Sequence, residues 1–145
     1  MNIREINKSE LQKLLDLYRY LHNEVPATVS QAAVAWEEIQ RSSHIQYFGV
    51  FDEKELIASC NITLIPNITR GCKPYGVIEN VVTKRNRRRS GYGKALLKYA
   101  LEVAWGKGCY KVMLMTGRLD EETFAFYESA GFDRHGKQAF IAKPD

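Results

Sequence analysis

What this chain has little of narrows it first. Its three cysteines, Cys60, Cys72 and Cys109, are odd in number and share no metal-ligand spacing, which argues against a disulfide framework or a zinc site and for reduced thiols in a cytoplasmic protein. The three histidines, His22, His44 and His135, are scattered, so no metal is expected and surface or loop roles are their default. No apolar run approaches the ~18 residues of a membrane-spanning helix, so no membrane partner is expected. The start, Met-Asn-Ile-Arg-Glu-Ile, mixes charge with alternating apolar residues and reads as a first strand, not a secretory leader. Repeats, low-complexity tracts and linker-like stretches are also lacking. With 145 residues, 45% of them hydrophobic, the chain is expected to form a single domain over residues 1–145 with a proper core.

Charge of either sign is nearly balanced. The formal excess is +4, and much of it sits in Lys84-Arg85 and Arg87-Arg88-Arg89. Such a cluster suits nucleic acid or a small polyanion. The surrounding pattern favours the second. A β-branched run over 77–83 delivers the chain to Arg87-Arg88-Arg89-Ser90-Gly91-Tyr92-Gly93, and Lys94-Ala95-Leu96-Leu97 then opens an amphipathic helix. Glycines let the backbone turn tightly and approach a ligand. The first amides of a helix lack partners and sit at the positive end of its dipole, so they are aimed at an anion.

The rest of the chain reads as alternating elements. Asn7 with Glu10 forms a capping signature before Leu11, Leu14, Leu15, Tyr18 and Leu21, giving a helix to about residue 20. Pro26 breaks that pattern, and Thr28 or Ser30 caps a second helix carrying Val34, Ala35, Trp36 and Ile39. Residues 47–51 and 56–65 form a hairpin around the turn Asp52-Glu53-Lys54-Glu55. Residues 66–74 are a polar loop before the strand that leads to the glycines. Leu96, Leu97, Ala100, Leu101 and Ala104 form the stripe of a third helix stopping near Gly106-Lys107-Gly108. Residues 110–115 read as a strand, Asp120 starts a last helix to about 129, and Phe132 with residues 139–142 suggests a final hairpin. The order β-α-α-β-β-β-α-β-α-β-β implies an α/β (α+β) fold with a mixed, helix-covered central sheet and about four helices.

Two motifs carry a family resemblance. The spacing R-x-x-G-x-G at Arg88, Gly91 and Gly93 resembles the acyl-CoA pyrophosphate loop of the GNAT superfamily of N-acetyltransferases, and Phe126-Tyr127-Glu128-Ser129-Ala130-Gly131-Phe132 resembles its FYExxGF ending. The element order is similar to the GNAT fold along nearly the whole chain. From 75 to 132 the motifs are most similar to the glucosamine-6-phosphate N-acetyltransferases, through Ile78-Glu79-Asn80-Val81-Val82 and Gly108-Cys109-Tyr110-Lys111.

That resemblance implies an acyltransferase using acetyl-CoA as cosubstrate, with direct attack of a small primary amine, such as that of an amino sugar phosphate, on the thioester. It implies that Val81 and Val82 pair with pantetheine through their backbone, where plain sheet core is the alternative. It further implies that Arg88, Ser90, Gly91, Tyr92, Gly93 and Lys94 bind pyrophosphate, with Arg87 or Arg89 available to the 3′-phosphate. Tyr127 would face the CoA sulfur and assist the leaving thiolate; packing against the sheet is its bland role. Glu79 is a general base, a substrate-orienting group or an arginine partner. Asp120 matches a pantetheine-contacting position and is equally a helix N-cap. Arg70 and Arg118 lie in loops expected to flank the acceptor and favour an acidic or phosphorylated one. Cys72 has no histidine partner in a motif and is discounted as a nucleophile. The competing readings are a peptide or protein N-acetyltransferase, a CoA sensor, and a nucleic-acid module built on residues 84–89. A homodimer is a family-level expectation only.

Overall fold

The computed structural model describes residues 1–21 and 25–145; His22 lies outside them. Strand β1 (Asn2–Glu5) leads through a 3₁₀ turn to helix α1 (Leu11–Tyr18), followed by α2 (Val29–Arg41), β2 (Ile45–Asp52), β3 (Glu55–Ile65), the single turn α3 (Thr69–Cys72), β4 (Tyr75–Thr83), α4 (Tyr92–Gly106), β5 (Val112–Leu114) and α5 (Glu121–Ser129). The sheet has the order β1-β2-β3-β4-β5. All neighbours are antiparallel except β4 and β5, which run parallel.

Local chemistry sets the helix starts. Asn7 and Glu10 form the expected capping box, and the buried Glu10 carboxylate is held bidentately by Arg4 at 2.8 and 3.1 Å. Thr28, not Ser30, caps α2: its hydroxyl accepts from Gln31 N–H at 3.1 Å while Gln31 Oε1 accepts from Thr28 N–H at 2.9 Å. Leu11, Leu14, Leu15 and Leu17 bury one side of α1.

The sheet separates two cores. Phe48, Cys60, Ile62 and Ile78 pack against Leu96, Leu97, Ala100 and Ala104 of α4, whereas Ile6, Phe51, Leu56 and Val82 pack with Leu14, Leu17 and Trp36 of α1 and α2. Because both faces are covered, β3 is buried almost continuously from Leu56 to Ile62, where a one-sided strand would alternate. Ile78 and Val82 are four residues apart on β4 and should share a face. They lie in opposite cores because a bulge between them inserts one extra residue, shifting the register where Ser59↔Val82 follows Asn61↔Glu79.

The expected final hairpin does not form: among the described residues, those from 130 to 145 carry no strand. Phe132 instead folds back onto Tyr127 and the α4-side core. Arg134 is tied to Glu121 and Glu128 of α5, and Gly136 N–H donates to Asp133 O at 3.2 Å in a turn before the tail. Phe140 and Ile141 are consequently exposed. The strand expected over 110–115 shortens to three residues, too short an edge to recruit the tail.

Candidate active site

Strands β4 and β5 pair only at Gly76↔Val112, Val77↔Met113 and Ile78↔Leu114. Beyond Leu114 the chain leaves the sheet, and beyond Ile78 β4 bulges at Asn80, so the two strands part and open a fork. Along residues 79–83 the outer edge of β4 has no strand partner among the described residues. Its backbone groups there are open to an extended polar ligand that joins the sheet as another strand would. The bulge is held across the sheet, where Asn80 Nδ2 donates to Asn61 Oδ1 at 2.9 Å. Val81 packs on the α4 side and Val82 on the α1 side.

From the end of β4 the chain turns into the N-terminus of α4. Gly91 caps the helix with φ of 83°, a conformation that favours glycine, and Ala95 N–H donates to Gly91 O at 3.0 Å. The amides of Tyr92, Gly93 and Lys94 therefore have no intrahelical partner and lie at the positive end of a 15-residue helix. A Cβ on Gly93 would lie 2.9 Å from the Phe126 ring, so glycine there lets the first turn of α4 rest on α5.

The arginines divide into two groups. Arg87, expected to be available to a phosphate, is instead engaged with carboxylates: its Nη2 donates to Asp52 Oδ2 at 2.9 Å and to Glu55 Oε2 at 3.2 Å, and its Nη1 donates to Tyr92 Oη at 3.3 Å. Lys84 joins at Glu55 Oε1, 2.9 Å away, and Lys84 and Arg87 hold the Glu55 carboxyl below its ordinary range. This network ties the basic loop to the β2–β3 turn. Arg88 and Arg89 are exposed, Arg88 Nε donating to Thr83 O at 3.2 Å and Arg89 meeting only the exposed Glu122 at 2.8 Å. Ser90 Oγ lies 3.4 Å from Arg88 O.

Tyr127 is half-buried, its ring between Phe126 and Phe132 at centroid distances of 5.0 and 6.4 Å. Burial pushes its hydroxyl above the ordinary tyrosine range, Cys60 and Glu79 push the same way, and Arg118 pulls back. Glu79 and Arg118 thus each lie within electrostatic reach of Tyr127. Glu79 is exposed and, among the described residues, has no ion pair. Asp120 caps α5: its carboxylate accepts from Thr123 Oγ1 at 2.9 Å and from Thr123 N–H at 3.0 Å, which lowers its pKa. Arg118 Nε lies 3.4 Å from the same carboxylate. Arg70 is not brought to this group. It sits before the start of β4 in a left-handed conformation, φ 58°, with its guanidinium 5.6 Å from the Tyr110 ring.

Three residues that the motifs did not single out as part of the site also shape it. Asn61 and Asn80 fix the bulge, and a polar pair inside two apolar strands is the signal that marks them. Tyr18, read only as part of a helix stripe, buries its hydroxyl without a hydrogen-bond partner in the structure. Among the described residues no cluster of His, Cys, Asp or Glu suits a metal ion, and no helix is long and apolar enough to cross a membrane.

The sequence profile of the Acetyltransferase (GNAT) family matches residues 9–132. A glucosamine 6-phosphate N-acetyltransferase of Trypanosoma brucei brucei is 30% identical over 139 residues, covering 95% of this chain and 92% of that one. A solved structure from Agrobacterium tumefaciens str. C58 shares 35% identity with a TM-score of 0.93, over 99% of this chain and 100% of that one. An aminoglycoside N-acetyltransferase solved with CoA shares the fold at 20% identity, TM-score 0.76, over 99% and 100% of the two chains.

Proposed function

This chain belongs to the GNAT acetyltransferase family, and from that premise we propose that it transfers the acetyl group of acetyl-CoA to the primary amine of a small molecule by direct attack on the thioester. The observation that carries the proposal is the parting of β4 and β5 just after Ile78 and Leu114, beside the free N-terminal amides of α4. Acetyl-CoA supplies an activated acyl group when bound. The amides of Tyr92, Gly93 and Lys94, with the exposed Arg88 and Arg89, suit its phosphates. Ser90 and Gly91 line the turn between them. Arg87 would shape that loop from behind, because its guanidinium is already paired. The open backbone at Val81 suits the amides of the pantetheine arm, and the Val81 N–H is a candidate donor to the acyl oxygen as charge gathers on it, whereas Val82 turns its N–H toward Ser59 of β3.

Glu79 stands on the same stretch, exposed and without a cationic partner among the described residues, and would draw a proton from the acceptor ammonium through water. Tyr127 keeps its hydroxyl protonated, since burial raises its pKa, and would donate to sulfur as the C–S bond breaks. One C–N bond forms as that C–S bond is lost; the amine gives up a proton and the sulfur gains one, leaving the N-acetyl product and free CoA thiol. Asp120 would act by capping α5 and so placing Tyr127.

The name of the trypanosomal relative makes glucosamine 6-phosphate the first acceptor to assay, and Arg118 beside Tyr127 gives a cation at the fork. Thiol release from acetyl-CoA, measured against a panel of amino sugars, amino acids, polyamines, arylalkylamines and peptides, tests the proposal, with Tyr127→Phe as control. Turnover with a small amine that collapses in the variant is the expected result. Acetyl-CoA that neither turns over nor protects the protein against heating would overturn it.

A further inference from the structure

On the face of the sheet opposite α4, a cavity of about 660 Å³ opens between α1 and α2 and reaches Asn80 at the β4 bulge. It therefore ends at the bulge where the fork opens. Its walls are chiefly aliphatic and aromatic, Leu14, Trp36 and Ile39 among them, and Arg19 is its one charged lining residue among those described. Arg70 and Arg118, the cations suited to a phosphorylated acceptor, do not line it. Tyr18 belongs to this wall, but its hydroxyl is buried away from the open space, with no partner among the described residues.

We infer that this cavity is the acceptor pocket and that it takes a primary amine on an aryl or alkyl body, not a sugar phosphate. The inference rests on the acetyl-transfer reading and adds the acceptor's chemical class. The apolar body fills the space between α1 and α2, and its amine lies toward Asn80 and the thioester. A phosphate dianion in the same space would be desolvated against leucine and tryptophan, with Arg19 the one cation among the described lining residues to compensate it.

Tyramine is the probe, and Trp36 reports on the pocket directly. In a Trp105→Phe background Trp36 is the sole tryptophan, because the chain has two and Trp105 is half exposed elsewhere. Tyramine is expected to shift Trp36 emission saturably, with glucosamine 6-phosphate giving no shift. Ala35→Phe, which fills the pocket from its exposed rim, is expected to weaken tyramine binding by at least about tenfold, with circular dichroism checking that the variant folds. In steady-state assays kcat/KM for tyramine should exceed that for glucosamine 6-phosphate by at least about tenfold. The inference is overturned if tyramine leaves Trp36 unmoved, if Ala35→Phe is without effect on its binding, or if glucosamine 6-phosphate is the better acceptor.

 The two readings fail separately. Absence of protection by acetyl-CoA would remove the acetyl-transfer reading, whereas the response of Trp36 to tyramine, and its loss in Ala35→Phe, judges the pocket by itself.

Discussion

Asn80 Nδ2 donates to Asn61 Oδ1 at 2.9 Å, and this single bond clamps the bulge of β4 to β3 at the point where the fork opens. Asn80 has a φ of 54°, a left-handed conformation that asparagine tolerates and β-branched residues resist. Asn80→Gly keeps the backbone free and loses only the bond, so it should cost about 1 kcal/mol in chemical denaturation. Asn80→Val adds strain and should cost about 2–3 kcal/mol. Both variants should show weaker thermal protection by acetyl-CoA.

Gly93→Ala tests the contact between α4 and α5. The added methyl would meet the Phe126 ring at 2.9 Å, and relieving that overlap should cost about 1–3 kcal/mol. Phe126→Leu in the same chain should recover part of the loss, read as a rise in Tm over the single variant.

Tyr127→Phe preserves the ring between Phe126 and Phe132 and removes only the hydroxyl. Stability should change little, while kcat should fall about 100-fold with KM for acetyl-CoA nearly unchanged. A kcat within twofold of the parent protein would assign the tyrosine to packing alone.

Alkaline pH should destabilise the protein in a defined way. Burial raises the hydroxyls of Tyr18, Tyr47 and Tyr127 above their unfolded value of about 10. Above that value the unfolded chain loses protons that the folded one keeps, so the contribution is fully present below pH about 10 and is lost as pH rises further. Tyr18→Phe should flatten this decline. It should also raise stability at neutral pH by up to about 1 kcal/mol, since it deletes a buried hydroxyl without a partner. Urea denaturation across the pH range checks both.

Arg87→Ala should weaken acetyl-CoA binding only a few-fold, because its guanidinium faces Asp52 and Glu55. Asp52→Ala should reproduce part of that effect although it removes a negative charge. An arginine contacting phosphate directly would give the opposite sign for the aspartate variant. Titrations at low and high salt measure both, and the differences should shrink as salt screens the pairs.

Features set by neighbouring residues were legible in the sequence. The capping box at Asn7 and Glu10, the turn over residues 52–55 and the glycines before α4 each report on a few consecutive positions, and each stands where it was expected. Features set by pairing were not. The bulge at Asn80 depends on the register with β3, and the engagement of Arg87 depends on carboxylates more than thirty residues away. The apolar residues near 140 suggested a hairpin because alternation marks a strand's faces. It carries no information on whether a free edge lies within reach, and here β5 is too short to offer one.

The brevity of β5 has a dynamic consequence as well. Three parallel residue pairs join it to β4, whereas β2 and β3 are laced together from Ile45↔Thr63 to Asp52↔Glu55. Local opening should therefore begin at β5 and spread to α5, and the amides of Val112–Leu114 should exchange with deuterium long before those of β3. A ligand seated in the fork would bridge both sides of that weak seam, making the first part of the molecule to open the part that its substrate holds shut.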